Sequence, residues 1–448
     1  MTSKQIRRLT LIVACVATLG ACSLFDRGRS ARDAEAAADR EGRIAMVLAD
    51  EKLTPSPELA TQSIELPPAR TVADWAQAGA GPTKSIGHVI AAPDLEIAWR
   101  ANAGRGSSRR SALVTPPVAS DQAIFTIDAS QTVRAFDLDT GARLWERDLL
   151  SVNPRDTTGI GSGIAYHDGK VIVASGFGFV TTLDAQTGAR YWRTNMEAPM
   201  TGSPTISENR VFVSSNNNEV FALDFENGVV LWSDQAISES ARVLGSPSVA
   251  AVEDIVVVPY SSGEVIAYLA ANGRRLWSEA LVSPGQFTPI SAINDIGARP
   301  ILGGGLVFAA SQSGVLAAID GRTGTRIWQQ PLGAIQAPTL AGQYLFAVSV
   351  DAEMVCFDAA SGQVVWVTQL EQYRNDEKKR GRITYSGPLV ASDRVLTVSS
   401  EGQLIALDPQ TGTELDRLRL GDNVYIEPIA VQGRVYVLTD DARLIAVR

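Results

Sequence analysis

The stretch Ala135-Phe136-Asp137-Leu138-Asp139-Thr140-Gly141-Ala142-Arg143-Leu144-Trp145 decides the fold, because it returns along the chain. It recurs most closely as TLDAQTGARYW at residues 182–192 and in looser form five more times. Self-similarity at a fixed period is typical of repeat architectures. Each copy has a glycine four residues before its last position. These glycines are Gly141, Gly188, Gly228, Gly273, Gly324, Gly362 and Gly412.

Tryptophan marks the last position of nearly every copy. Successive tryptophans from Trp145 to Trp366 lie 38 to 51 residues apart, which is a period near 45. Seven of the eight tryptophans in the chain hold this position, and Asp416 stands in the seventh copy where a tryptophan is expected. We predict a structural role for them, filling the space between neighbouring repeat units. They are Trp99, Trp145, Trp192, Trp232, Trp277, Trp328 and Trp366.

The physics of one unit is that of a β-hairpin. Apolar residues alternate on both sides of a turn in which Asp accepts backbone hydrogen bonds and Gly takes positive φ. Two further β-rich runs precede each hairpin, such as Gly202–Ile206 and Val211–Val213 in one period. Four short strands per 45 residues predict a propeller blade.

The two ends of the repeat region predict the number of blades. Residues 95–100 form a fourth strand with no preceding three, whereas residues 443–447 form a third strand with no fourth. Pairing them closes the ring and leaves no free sheet edge at the closure. The expected fold is therefore all-β, an eight-bladed propeller of four-stranded blades over residues 71–448.

The N-terminus is typical of an export signal rather than of folded structure. A positive start with Lys4, Arg7 and Arg8 precedes an apolar run that is too short to span a bilayer. The run ends in Leu-Gly-Ala before Cys22, which resembles the lipobox of bacterial lipoproteins. We predict a signal peptide at residues 1–21 and lipidation of Cys22, with Ser23 resembling a sorting signal for the outer membrane.

The predicted mature chain begins with a spacer. Residues 22–70 contain Pro55, Pro57 and the pair at 67–68, which interrupt regular structure, so we expect a lipidated and flexible tether. Removal of the signal takes away three positive charges and no negative ones, which changes the net charge from −9 to −12. Two or three acyl chains would hold such an acidic protein at the membrane.

Composition excludes several classes of function. The 448 residues are 45% hydrophobic and 20% charged, as in ordinary folded proteins. The negative charge disfavours nucleic acid as a partner. Two histidines and three cysteines are too few for a Cys/His zinc site or a disulfide framework, and they make catalysis by a Cys–His pair improbable. We expect no catalytic residues, no bound metal and no cofactor.

The repeat resembles the quinoprotein-type propeller repeat over about 350 residues. Two families carry that repeat: the pyrroloquinoline quinone dehydrogenases and BamB, the propeller lipoproteins of the outer-membrane β-barrel assembly (BAM) machinery. A lipobox, a short tether and eight blades resemble the BamB family. Residues 75–79 (WAQAG) and 288–295 (TPISAIND) look like its alphaproteobacterial branch.

Two alternatives remain beside this resemblance. The dehydrogenases resemble each other in a vicinal Cys-Cys pair, a Ca²⁺ site and a catalytic Asp, and this chain has no Cys-Cys pair. A glycan- or ligand-binding propeller would be favoured by aromatic residues clustered in loops on one face. Aromatic residues make up only 6% of this chain and lie mostly in strand positions.

The resemblance implies work by binding rather than by chemistry. It implies contact with a POTRA domain of the insertase BamA, with other BAM lipoproteins and with unfolded outer-membrane protein clients, at the outer membrane and facing the periplasm. The family's two contact loops map onto residues 241–245 and 294–300. Asp295 matches one family carboxylate, whereas Leu244 and Gly297 depart from the pattern. The partner-binding residues expected here are Ala241, Arg242, Val243, Leu244, Asn294 and Asp295.

Overall fold

The computed structural model describes residues 52–59, 62–151, 159, 161–237, 247–281 and 295–448. The chain divides into two compact units, Met1–Lys52 and Leu53–Arg448, and the second contains every described strand. In the described ranges there is no helix at all, and hence none of a length and apolarity suited to crossing a membrane. The predicted signal peptide, Cys22 and the first part of the predicted tether lie outside the described residues.

Eight sheets of four antiparallel strands make up the described fold, together with one short hairpin. The blades are numbered in chain order. Blade 1 is β2 (Val118–Ala119), β3 (Ala123–Ile127), β4 (Thr132–Asp137) and β5 (Arg143–Asp148); blade 2 is β6 (Ser162–His167), β7 (Lys170–Ser175), β8 (Phe179–Asp184) and β9 (Arg190–Asn195); blade 3 is β10 (Thr205–Ser207), β11 (Arg210–Ser214), β12 (Glu219–Asp224) and β13 (Val230–Gln235); blade 4 is β14 (Ala250–Val252), β15 (Ile255–Pro259), β16 (Glu264–Leu269) and β17 (Arg275–Ala280).

The second half of the ring continues the same order. Blade 5 is β18 (Ile301–Gly303), β19 (Leu306–Ala310), β20 (Leu316–Asp320) and β21 (Arg326–Gln330); blade 6 is β22 (Thr339–Ala341), β23 (Tyr344–Val348), β24 (Glu353–Asp358) and β25 (Val364–Gln369); the short hairpin is β26 (Tyr373–Asn375) and β27 (Arg380–Arg382); blade 7 is β28 (Tyr385–Ala391), β29 (Arg394–Ser399), β30 (Gln403–Leu407) and β31 (Glu414–Arg419); blade 8 is β32 (Ile429–Val431), β33 (Arg434–Leu438), β34 (Arg443–Val447) and β1 (Ile97–Asn102).

Ring closure is confirmed. The sheet order of blade 8 is β1-β34-β33-β32, and Trp99 pairs with Ala446 as the other tryptophans pair in their own blades. The prediction of eight four-stranded blades is confirmed with it. First strands of successive blades contact one another, so they lie nearest the axis of the ring.

The repeated turn has the predicted chemistry. In blade 1 the Asp137 carboxylate accepts hydrogen bonds from the backbone N–H of Thr140 at 2.8 Å and from its hydroxyl at 2.6 Å. These two bonds lower the pKa of Asp137. Gly141 follows at φ 71°, a left-handed conformation that favours glycine. One register shift then places Trp145 opposite Ala135.

The tryptophans lie between blades, as predicted. Trp145 of blade 1 packs on the turn of blade 2, where a Cβ added to Gly188 would come within 2.7 Å of the indole. The same indole donates its N–H to the carbonyl of Ala185 at 2.9 Å. Five more tryptophans, those at 192, 232, 277, 328 and 366, donate in the same way to the next blade. Each of these six tryptophans therefore joins its own blade to the next one by packing on the turn and by one hydrogen bond.

An extended segment before the first strand, residues 67–92, lies across one end of the ring; we call it the N-terminal segment. Its backbone and side chains form hydrogen bonds at the ends of the first strands of seven blades. At the remaining blade, blade 6, Pro67 lies against Gly342. Upstream, Ile64 is bonded through its N–H to Gln410. These contacts begin before residue 71, where we predicted the propeller to start. The bonded pairs are Trp75–Ala119, Ala76–Tyr166, Gln77–Ile206, Pro82–Ala251, Thr83–Leu302, Val89–Val390 and Val72–Gln432.

Candidate partner-binding surface

Antiparallel blades give the ring two different faces. Turns between first and second strands and between third and fourth strands lie on one face, which we call the turn face. Turns between second and third strands, and the connections from one blade to the next, lie on the opposite face, which we call the connection face. The N-terminal segment bonds at the ends of first strands and therefore covers the turn face near the axis.

The predicted partner-binding residues belong to connections that leave from the connection face. Residues 241–244 lie in the connection from blade 3 to blade 4, and residues 294 and 295 lie in the connection from blade 4 to blade 5. Ala241, Arg242, Val243, Leu244 and Asn294 lie outside the described residues. The described flank of the first connection ends at Ile237, whose surface is 71% exposed.

Asp295 is the one predicted contact residue within the described part of the chain. The structure places it in the interior, with only 3% of its surface exposed. Its carbonyl accepts the N–H of Gln312 at 3.1 Å, and the following Ile296 is fully buried. Asp295 therefore anchors the start of blade 5, and its role in binding a partner stays a prediction.

A polar network holds the junction of blades 3 and 4. Arg275 Nε donates to Asp234 Oδ2 at 2.7 Å, and the Tyr268 hydroxyl donates to the same oxygen at 2.8 Å. The hydroxyl of Tyr260 lies 2.7 Å from that of Tyr268. Burial is the main cause that raises the pKa of both tyrosines, so both stay protonated. The network fixes the outer strand from which the first connection departs.

A cluster of buried charges lies where the N-terminal segment meets the start of blade 5. Arg299 and Glu427 form an ion pair at 2.7 Å, and the Arg299 Nε is buried without a partner. Lys84 is 3% exposed and reaches the side-chain oxygen of Gln77 at 3.4 Å. Burial lowers the pKa of Lys84 well below its ordinary value, and the charge of Arg299 adds to this effect. This cluster was not predictable from the sequence, because its members are far apart along the chain and lie outside the repeated turn motif.

The outer strands also expose apolar side chains in a regular position. The residue just before the repeat tryptophan is exposed in most blades, because it points away from the next blade. Blade 3 has three such residues in a row, at 229–231. An edge strand with exposed apolar residues suits pairing with another chain. The exposed residues in this position are Leu144, Tyr191, Leu231, Leu276, Ile327 and Leu415.

The described residues contain no group of three or more His, Cys, Asp or Glu side chains placed to hold a metal ion. Cys356 is buried in a core strand, and burial raises the pKa of its thiol. Such a thiol behaves as a small apolar side chain. The described geometry thus offers surfaces and edges for binding.

Comparison with known proteins agrees with this picture. The sequence model of a family described as outer membrane protein assembly factor BamB matches residues 129–368 and 371–448. The outer membrane protein assembly factor BamB of Shewanella oneidensis is 25% identical over 360 residues, covering 79% of this chain and 88% of the relative. An uncharacterized protein of Rickettsia prowazekii, an alphaproteobacterium, is 26% identical over 290 residues, covering 64% of this chain and 69% of the relative.

Solved structures share the fold. The crystal structure of BamB from Moraxella catarrhalis has a TM-score of 0.65 at 19% identity, covering 77% of this chain and 98% of that one. A quinohemoprotein alcohol dehydrogenase from Comamonas testosteroni has a TM-score of 0.66 at 15% identity, covering 84% of this chain and 81% of that one. At these identities the likeness concerns the propeller alone.

Proposed function

The chain belongs to the outer membrane protein assembly factor BamB family, and on that premise we propose that it acts as a non-enzymatic scaffold lipoprotein in the assembly of outer-membrane β-barrels. The observation that carries the proposal is the match of the family's sequence model to most of the propeller. The structure supports it with a closed ring whose two faces differ. The N-terminal segment takes up the turn face, while the connection face carries loops of varied length.

The proposal also names the binding partners and the location of the protein in the cell. We assign the connections at residues 241–244 and 294–295 to contact with a POTRA domain of BamA, next to other BAM lipoproteins. Exposed apolar residues on the outer strands would receive unfolded outer-membrane clients. Lipidation at Cys22 would hold the protein at the outer membrane, facing the periplasm. Catalysis, a cofactor and a metal have no part in this function.

The test is recovery of partners from the host's own envelope. Full-length protein is purified from gently solubilised envelopes, and bound proteins are identified by mass spectrometry. Recovery of BamA with companion lipoproteins is the expected result. A quinone absorbance or a bound glycan with no BamA would contradict the proposal.

Residue-level variants then test the contact surface. Arg242→Glu should reduce recovery of BamA. Arg109→Glu is the matched control, because Arg109 is an exposed arginine on another connection between blades, that from blade 8 to blade 1. Since Asp295 is buried, Asp295→Asn keeps its size and is preferred to charge reversal. Equal recovery with Arg242→Glu and with wild type would remove the first connection from the interface.

A further inference from the structure

Two blade junctions share an ion pair at equivalent repeat positions. The residue two places after the repeat tryptophan is Asp234 in blade 3, and the residue two places after the repeat glycine is Arg275 in blade 4. Their side chains meet at 2.6 Å. At the next junction the same positions hold Glu279 and Arg326, which meet at 2.5 Å. A carboxylate of one blade thus pairs with an arginine of the next.

The junction of blades 1 and 2 holds arginine at both of these positions. They are Arg147 in blade 1 and Arg190 in blade 2, so no carboxylate stands at the first position. Arg147 donates its Nε to the carbonyl of Gly188 at 2.9 Å. Among the described residues, neither arginine forms an ion pair with a carboxylate.

A third arginine adds to the unpaired charge. Arg193 lies over the ring of Phe179, 3.6 Å from its centroid, and donates Nη1 to the carbonyl of Leu150 at 2.9 Å. Its other terminal nitrogen, Nη2, is buried and has no hydrogen-bond partner. A buried guanidinium N–H without an acceptor is costly. Among the described residues Arg193 also forms no ion pair with a carboxylate.

The three arginines line an open groove of about 350 Å³ between the two blades. Its acidic member, Asp148, is engaged with the hydroxyl of Thr132 at 2.7 Å and forms no ion pair with the arginines. Leu149 and Leu150 form an apolar end, and Leu150 is 73% exposed. The groove therefore combines unpaired positive charge with an exposed apolar contact.

We propose that this groove binds an acidic side chain of a partner protein, presented on an extended segment with an apolar residue beside it. The partner's carboxylate would take the place that Asp234 takes at the junction of blades 3 and 4 and Glu279 at the junction of blades 4 and 5. A carboxylate fits because the fold itself uses one at the equivalent positions, and arginine binds it with paired hydrogen bonds. The exposed Leu150 favours a peptide over a free anion. This proposal does not depend on the proposed function.

The test uses isothermal titration calorimetry with the detergent-solubilised full-length chain. The probes are the peptide Leu-Glu-Leu-Asp-Leu with blocked ends, its amide counterpart Leu-Gln-Leu-Asn-Leu, and vesicles containing phosphatidylglycerol. Saturable binding of the acidic peptide, at least tenfold tighter than the amide peptide, is expected. Arg190→Gln and Arg193→Gln should each weaken it about tenfold, since each removes a charge-assisted hydrogen bond.

Two further variants separate the groove from general positive charge. Arg147→Asp places a carboxylate at the position that holds Asp234 in blade 3 and Glu279 in blade 4, so we expect Arg190 to become paired within the ring and peptide binding to be lost while the thermal midpoint is kept or raised. Arg143→Gln is the matched control, because Arg143 holds the same repeat position in blade 1 and already pairs with Glu146 at 2.8 Å. It should change peptide affinity less than twofold.

Several results would overturn the proposal. One is equal affinity of wild type and Arg147→Asp for the acidic peptide, and another is equal binding of the acidic and amide peptides. Absence of saturable peptide binding would also overturn it. If vesicles bind, the peptide does not, and Arg190→Gln abolishes the vesicle binding, the groove recognises a lipid headgroup instead.

Discussion

Seven of the eight blade junctions contain a tryptophan, and the junction of blades 7 and 8 does not. At the junction of blades 5 and 6, Trp328 covers the turn glycine Gly362 and donates its N–H to the carbonyl of Ala359 at 2.9 Å. At the junction of blades 7 and 8, the same position holds Asp416, which is exposed. The difference shows that the tryptophan packs on and stabilises the turn of the next blade rather than its own strand.

Blade 8 has no such turn, because the ring closes there. Its third strand ends near Arg448 and its fourth begins near Glu96, and these two residues exchange backbone hydrogen bonds at 2.8 and 3.0 Å. A tryptophan at position 416 would therefore have no turn glycine to cover. The N-terminal segment joins these blades instead: Val89 bonds to Val390 and Ser392 of blade 7, and Ala92 bonds to Gly433 of blade 8.

The largest effect is expected from removing a tryptophan at an ordinary junction. Trp328→Ala should lower the free energy of unfolding by about 3–5 kcal/mol, because a large buried side chain and its hydrogen bond are both lost. Asp416→Ala, at the same repeat position, should change it by less than about 0.5 kcal/mol. Thermal and urea unfolding measure both. Similar losses of unfolding free energy for the two variants would show that the side chain at this strand position contributes to stability whether or not a turn of the next blade lies beneath it.

A second change tests how the N-terminal segment is held. Lys84 is buried beside the Arg299–Glu427 pair, which is already balanced in charge. Lys84→Met should therefore raise stability at pH 7 by about 1–4 kcal/mol, as replacements of buried charges often do. A lower stability at pH 7 would mean that Lys84 is needed to hold the segment.

The pH dependence of that effect has a definite sign. Because burial lowers the pKa of Lys84 in the folded state, the unfolded chain binds the proton more readily between that lowered pKa and the ordinary value of 10.5. The lysine's cost to the fold is therefore full below the lowered pKa and fades as the pH rises towards 10.5. The advantage of Lys84→Met should shrink between pH 7 and pH 10, as followed by thermal unfolding. An advantage independent of pH would exclude the charge as its cause.

Two glycines of blade 2 separate backbone strain from packing on tryptophan. Gly188 and Gly169 both have positive φ, 68° and 70°. A Cβ on Gly188 would come within 2.7 Å of Trp145, whereas one on Gly169 would meet nothing within 4 Å. Both alanine variants should lose about 1–2 kcal/mol from strain, and Gly188→Ala should lose more. Equal losses of unfolding free energy for the two variants, measured in urea, would mean that the indole of Trp145 moves aside for the new methyl group without a loss of stability.

The smallest effect concerns the junction without a tryptophan. The Ser392 hydroxyl bonds to both the N–H and the carbonyl of Ala91, each at 3.0 Å. Ser392→Ala should cost about 1 kcal/mol and speed hydrogen exchange at residues 89–92. Ser108→Ala is the control, because its hydroxyl bonds within its own loop. Unchanged exchange at 89–92 would show that this junction does not depend on the N-terminal segment.

The blade was predictable from the sequence because its determinants are local. Asp137, Thr140 and Gly141 make one turn within a few residues, and the alternation beside them fixes the hairpin. Repetition then gives the number of blades, and the unmatched strands at residues 95–100 and 443–447 give the closure. The sequence also shows Asp416 in place of the repeat tryptophan. Only the structure explains this residue, because it shows that blade 8 has no turn between its third and fourth strands for a tryptophan to cover.

The binding surfaces were less predictable, because they depend on which residues meet across the ring. Asp295 was assigned to a partner-binding loop, yet tertiary packing buries it at the start of blade 5. Arg147 and Arg190 are ordinary strand arginines in the sequence, and only the junction of two blades makes them an unpaired set.

The sequence by itself thus determined the repeat, the blade and the closed ring, since each follows from local turn chemistry and from alternation with period two. Tertiary structure alone decided the path of the N-terminal segment and the partners of Lys84, Arg299 and Glu427. Those contacts join residues that are far apart in the chain and outside the repeated turn motif, so their free energy depends on burial and charge that no local pattern records.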